Sequence, residues 1–387
     1  MKTKAFFCMV LVSLFLLPGC ASSSGKEPFA SGKPTDNAEN GDDDSRFFNG
    51  CLAVAHDELV YFTEQTPAGK VQLTYFYDCK TGSVMPLCSK PECSHDSADC
   101  MAYYPSTFGE MSYSFFNGEL YWIGDLSAKD GKKLVNVYAC APDGTGRRVA
   151  AQLDWEYDAL ANGFFGIYDG RIYRGGTGSY VNNGKAASGM LVYSQAVKGG
   201  SEPKEIFRAD GVGGSMICAL ASGSLYFAVG GEEETPSMKL YEYDIASDEL
   251  KTLYEGEVPS WAFRMSALED RLVFYEGDDV FCFLFNTREM SILEIKGKPG
   301  WFEVGDRTIY ADTSFTGYAC YDLEGNMLYE GERDPSLFHE EKQTKQYLGC
   351  YKGAFYFIYS SEEYHYLVVY DSNTDTWTVP WEAKVAK

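Results

Sequence analysis

Three thiols and one imidazole stand within thirteen residues, in the run Cys88-Ser89-Lys90-Pro91-Glu92-Cys93-Ser94-His95-Asp96-Ser97-Ala98-Asp99-Cys100. Soft thiolate sulfur and histidine nitrogen suit a tetrahedral Zn²⁺ ion, so a structural zinc is one state this cluster can take. The C-x4-C-x-H-x4-C spacing differs from the usual finger and knuckle patterns, and two other states stand beside it. One is a disulfide inside the loop with the odd thiol paired to Cys51 or Cys79; the other is free thiols. In every state the cluster staples a segment with too few apolar residues to hold itself. Four protein ligands would leave a tetrahedral ion no open position, which points to structure rather than catalysis.

Elsewhere the residues offer little chemistry. The histidines are His56, His95, His339 and His365, and no sequence pattern pairs one with a nucleophile. There is no G-x-S-x-G elbow. Gly178 to Ala186 resembles a phosphate loop only at a glance, having five residues between its glycines and Ala186 where Ser or Thr belongs, and it reads as a loop. Carboxylates occur at Glu232-Glu233-Glu234, Asp278-Asp279, Asp312 and Glu362-Glu363. They would bind a cation or perform glycoside chemistry only if a pair converged. The chain is expected not to be an enzyme, and no catalytic residue is assigned. Three tryptophans between repeats, Trp155, Trp261 and Trp301, are the candidates for a binding face.

The N-terminus carries an address. Lys2 and Lys4 precede an apolar run from Ala5 to Leu17, then Leu17-Pro18-Gly19-Cys20. That run suits a signal sequence and is short of the roughly 20 residues a bilayer span needs. The small residues before Cys20 resemble a bacterial lipobox, which implies cleavage and lipidation at Cys20. Residues 1–19 are thus read as a lipoprotein signal and 20–45, nearly free of apolar residues, as a disordered tether with a reach of roughly 25 to 30 Å. The net charge is −23, and loss of Lys2 and Lys4 with the signal takes it to −25. A field of that sign repels phosphate backbones, so nucleic acid is not an expected partner.

What must position these groups is a repeat. A tight turn and an aromatic-rich run recur at Leu59-Val60-Tyr61-Phe62, Leu120-Tyr121-Trp122-Ile123, Arg171-Ile172-Tyr173, Leu225-Tyr226-Phe227, Leu272-Val273-Phe274, Thr308-Ile309-Tyr310 and Phe355-Tyr356-Phe357. A period of about 50 residues with four short strands each is the signature of a β-propeller. The fold class is therefore all-β, a single propeller of seven four-stranded blades over residues 46–387. Its aromatic runs are read as core between blades, and its long connections, gathered on one face, as the place for any site.

The runs around Leu120-Tyr121-Trp122-Ile123-Gly124-Asp125 and Tyr243-Asp244, repeated at blade spacing, resemble the low-density-lipoprotein-receptor-like β-propellers of exported bacterial lipoproteins. The resemblance covers about residues 48 to 380. The cluster Cys88, Cys93, His95 and Cys100 is similar to a segment recurring in such lipoproteins. The resemblance implies a fold and an address and supplies no catalytic residue. The expectation is an extracytoplasmic, lipid-anchored binding module for a protein, peptide or glycan. A carbohydrate-active enzyme with carboxylates at the central opening and an envelope scaffold are the alternatives.

Overall fold

The structure, a computed structural model, describes residues 46–47, 53–66, 71–104, 113–129, 132–154, 160–182, 185–198, 202–210, 216–221, 223–231, 237–257, 264–276, 279–295, 301–314, 316–334, 337 and 344–385. Cys20 and the rest of residues 1–45, together with Cys51, Trp155 and Trp261, lie outside them. Seven antiparallel sheets follow one another along the chain, each blade built on four consecutive strands with a short fifth added to the first, and form a seven-bladed β-propeller. The blades occupy residues 53–86, 113–154, 160–210, 216–257, 264–293, 301–332 and 344–384. No described helix is long and apolar enough to cross a membrane.

Two kinds of turn repeat, each with a physical reason in the sequence. The first hairpins of blades two, three and seven pass through paired left-handed residues, Asn117-Gly118, Asp169-Gly170 and Lys352-Gly353. That is the geometry two-residue hairpin turns require. In blade one the pair is Asp57-Glu58, one residue later than the expected His56-Asp57, because His56 still pairs with Leu59. The second kind explains the recurring Tyr-Asp. Asp78, Asp244, Asp322 and Asp371 end third strands, and their Oδ1 atoms accept the backbone N–H of Lys80, Ser247, Glu324 and Asn373 at 2.8 to 3.0 Å. Such aspartates close turns by imitating a backbone acceptor.

Some connections expected as loops are instead extended hairpins. The ladder of blade three continues to Asn182 opposite Lys185, so Gly178 to Asn182 and Lys185 to Ala186 are paired strand rather than loop, and residues 183 and 184 lie outside the described residues. In blade four pairing likewise reaches Gly231 opposite Ser237.

The aromatic runs fill the wedges between blades, as expected. Tyr121 meets Phe165 and Ile172 between blades two and three, and Tyr173 meets Leu225 and Phe227 between three and four. Phe274 and Phe283 lie between four and five, Phe302 and Ile309 between five and six, and Tyr310, Phe355, Phe357 and Tyr370 between six and seven. Each such side chain contributes roughly 1.5 to 3 kcal/mol by leaving water.

The ring closes where the chain does not. Blade seven uses only its own four strands, so it meets blade one through side chains alone. The Tyr77 and Tyr356 rings stand 5.9 Å apart, and Trp381 lies 5.5 Å from Tyr75. The Tyr356 hydroxyl reaches the Cys79 thiol at 3.5 Å, His365 Nδ1 meets Glu64 Oε1 at 2.8 Å, and Lys352 pairs with Glu58. Blade one differs from the expected four strands in one respect. Arg46–Phe47 pairs antiparallel with its innermost strand, Ala53–His56, satisfying backbone groups on an edge that otherwise faces the channel.

Leu87, just past the outermost strand of blade one, Ser83–Pro86, meets blade two at Gly144. Its φ is +81°, and a Cβ there would stand 2.5 Å from the Leu87 carbonyl oxygen. Gly82, at φ +69°, has open space around the same position. Gly144→Ala is therefore expected to lower unfolding free energy by roughly 2 to 5 kcal/mol, against roughly 1 to 2 kcal/mol for Gly82→Ala. Denaturant titration of both variants checks the difference.

Candidate functional site

The cysteine cluster is an excursion from the outer strand of blade one. Leu87 N–H donates to the Thr74 carbonyl at 2.8 Å, and Thr74 N–H donates to the Ala102 carbonyl at 2.7 Å. One residue of the third strand, Gln72–Asp78, thus holds both ends of the excursion, and the intervening chain leaves and rejoins the same sheet edge. The Thr74 hydroxyl also meets the Tyr113 hydroxyl of blade two at 2.9 Å. Leu87, Cys100, Ala102 and Tyr104 are buried in the core shared by blades one and two.

At the top of this excursion Cys88, Cys93, His95 and Cys100 converge, with one ligand atom from each lying within 4.8 Å of the others. His95 Nδ1 stands 3.3 Å from Cys100 Sγ, and His95 takes a left-handed φ of 55° to bring its ring there. Cys88 Sγ accepts backbone N–H groups from Lys90 and Met101, and Cys100 Sγ accepts that of Ala102. Burial raises the Cys88 thiol pKa, but those two donors together with the Cys100 and Cys93 thiols outweigh it and leave the thiol acidified. Burial pushes the Cys100 thiol up to about 12, so its contact with His95 is not that of an activated nucleophile.

All three loop cysteines are free, and so is Cys79. Of the two partners named for the odd thiol, Cys51 lies outside the described residues. Cys79 faces Tyr356 at the junction with blade seven, directed away from the role of partner to the odd thiol. The four side chains that converge are the set the sequence singled out, and they suit a tetrahedral ion.

The remaining sequence candidates fall differently. Trp301 opens the first strand of blade six, Trp301–Val304, rather than lying in a link. Its side chain is 47% exposed, while its Nε1–H donates at 2.7 Å to Glu303, which is 1% exposed. The start of a first strand lies on the same face as the long connections. Asp312, named among the acids, is not a free carboxylate. Lys345 Nζ stands 2.7 Å from its Oδ2, Arg333 Nη1 3.3 Å from its Oδ1, and the Tyr310 hydroxyl donates to it at 2.7 Å. Lys345 also lies over the Tyr310 and Phe357 rings at 4.3 and 4.2 Å, and Arg333 bonds the Tyr359 hydroxyl.

This polar network between blades six and seven was not visible in the sequence. Its members come from three strands and from Arg333, just past the end of a fourth, and no spacing marks Arg333 or Lys345 as partners of Asp312.

Burial depresses Lys345 to about 8, the Asp312 charge opposing this and the Arg333 charge adding to it. Its folded pKa thus lies below the unfolded value, and between about pH 8 and 10 the unfolded chain holds the extra proton, so stability from this group rises with pH. In urea titrations the wild-type advantage over Lys345→Met is expected to grow from pH 8 to 10; a flat difference contradicts this. Asp312→Asn removes the carboxylate that Lys345 and Arg333 share and is expected to cost roughly 3 to 5 kcal/mol.

No family model matches the chain, and no curated protein matches it in sequence. Solved structures do share its architecture. A puromycin-hydrolyzing peptidase of Mycobacterium tuberculosis aligns with 85% of this chain and 53% of its own, at 10% identity and a TM-score of 0.51. An acylaminoacyl peptidase of Pyrococcus horikoshii aligns over 87% and 52%, at 9% identity and 0.48. A 6-phosphogluconolactonase-like protein of Bacteroides fragilis aligns over 85% and 96%, at 12% identity and 0.47. The chain spans about half the length of the two peptidases, and at these identities the likeness is one of fold.

Proposed function

We propose that this chain is a lipid-anchored extracytoplasmic protein whose propeller is a binding module. The ligand lies on the long-connection face at blades six and seven. The half-exposed indole of Trp301, oriented by the buried carboxylate of Glu303, carries this reading. A large ring fixed by a hydrogen bond offers contact area at little entropic cost, the property that makes tryptophan a frequent anchor in binding surfaces. A sugar ring or an aromatic peptide side chain is the complementary ligand chemistry.

The chemistry of the described residues favours binding over hydrolysis. His365 contacts Glu64, His95 contacts Cys100, and His56 stacks on Phe115; none of these partners is a hydroxyl nucleophile. Asp312 is occupied by two cations, which removes it as a free partner for a glycosidic carboxylate pair. The peptidase activity named for the similar structures is therefore not part of the proposal.

Two experiments test the reading separately. Membrane fractionation should find the wild type with membranes and Cys20→Ala in the soluble fraction; a variant that stays with membranes overturns the anchor. Glycan and peptide arrays probed with the full chain should yield a ligand whose binding falls roughly tenfold or more in Trp301→Ala with an unchanged unfolding midpoint. Equal binding by the variant overturns the site.

A further inference from the structure

We propose that Cys88, Cys93, His95 and Cys100 hold one zinc ion, as a structural clasp that keeps the outer-strand excursion of blade one seated against blade two. Three observations carry this inference, and none of them depends on the binding role.

The first is the shape of the ligand set. A tetrahedral ion with bonds of about 2.3 Å to sulfur places neighbouring ligand atoms about 3.5 to 4 Å apart. The four ligand atoms already lie within 4.8 Å of one another, and the His95 Nδ1 to Cys100 Sγ distance of 3.3 Å is close to one tetrahedral edge. A disulfide would join two of the sulfurs and leave the third with the imidazole. A single ion uses all four.

The second observation is the surroundings. Thiolates coordinated to zinc remain hydrogen-bond acceptors, and backbone N–H groups from Lys90, Met101 and Ala102 are already aimed at two of the sulfurs. Binding displaces three thiol protons to solvent, so three thiolates, a neutral imidazole and Zn²⁺ carry a net single negative charge. Two cations stand beside it. Lys90 Nζ donates to the Asp99 carbonyl at 3.0 Å, and Arg147 lies 3.4 Å from the Cys100 carbonyl while stacking on Tyr103 and Tyr138.

The third is position. The ligands lie immediately outside the two hydrogen bonds at Thr74 that pinch the excursion, and the Ser94 hydroxyl donates to Asp96 Oδ1 at 2.6 Å within its tip. Closing the tip on an ion holds Leu87 and Cys100 in the core between blades one and two. All four positions are protein ligands, so the ion has no site for water or substrate and acts by fixing structure.

The test uses the full chain purified with reductant. Elemental analysis should find about one zinc per chain, and the loop thiols should resist maleimide until the metal is chelated. Cobalt exchanged into the wild type should show the intense visible bands of a tetrahedral thiolate site, a readout that needs no variant to fold. Cys93→Ser and His95→Ala should lower zinc content roughly tenfold or more, while Cys79→Ser keeps it. Three results overturn the proposal. They are a disulfide among Cys88, Cys93 and Cys100 in the reduced preparation, a cobalt spectrum typical of six oxygen ligands, and unchanged zinc content in Cys93→Ser.

Discussion

The contact between blade seven and blade one is the constraint on which the molecule depends. Six of the seven wedges join blades that the chain also connects covalently, whereas this one joins blades with no link between them. A propeller with no strand shared across its seam must close by packing, and the residues at the seam are suited to that. Tyr356 and Trp381 supply apolar area against Tyr77, Tyr75 and Phe62. His365 with Glu64, and Lys352 with Glu58, fix the register of the two blades. Each blade buries its faces chiefly against neighbours, so an open ring would expose two faces at once.

Once the ring is closed, what distinguishes the blades is what does not repeat. Blade one alone carries the excursion with three thiols and an imidazole, and its base is tied to Thr74. Between blades six and seven, the carboxylate of Asp312 is shared by Lys345 and Arg333 beneath a half-exposed tryptophan. The repeated aromatics, by contrast, are spent in the wedges and leave little for recognition.

Much of the fold was legible because its causes are local. Asn117-Gly118 and Asp169-Gly170 announce hairpins through backbone freedom, and the Tyr-Asp repeats announce capped turns. The cysteine cluster was legible for the same reason, its four ligands being close in sequence, although its chemical state was not. Where Cys79 points, by contrast, is set by Tyr356, 277 residues away, and no local spacing could show it. The network of Asp312, Arg333 and Lys345 was hidden likewise, its charges coming from separate parts of two blades. Arg46–Phe47 pairing with blade one has no sequence signal beyond two residues bordering a polar tract.

The claim that the ring is held at one unlinked seam is tested most directly by hydrogen exchange in Tyr356→Ala, with Tyr173→Ala at a covalently linked wedge as the reference. Local opening is expected to follow the weakest boundary. The account predicts faster exchange concentrated in the strands of blades seven and one for Tyr356→Ala, with blades three to five still protected. Equal acceleration in all seven blades, or a larger sub-global opening in Tyr173→Ala, would contradict it.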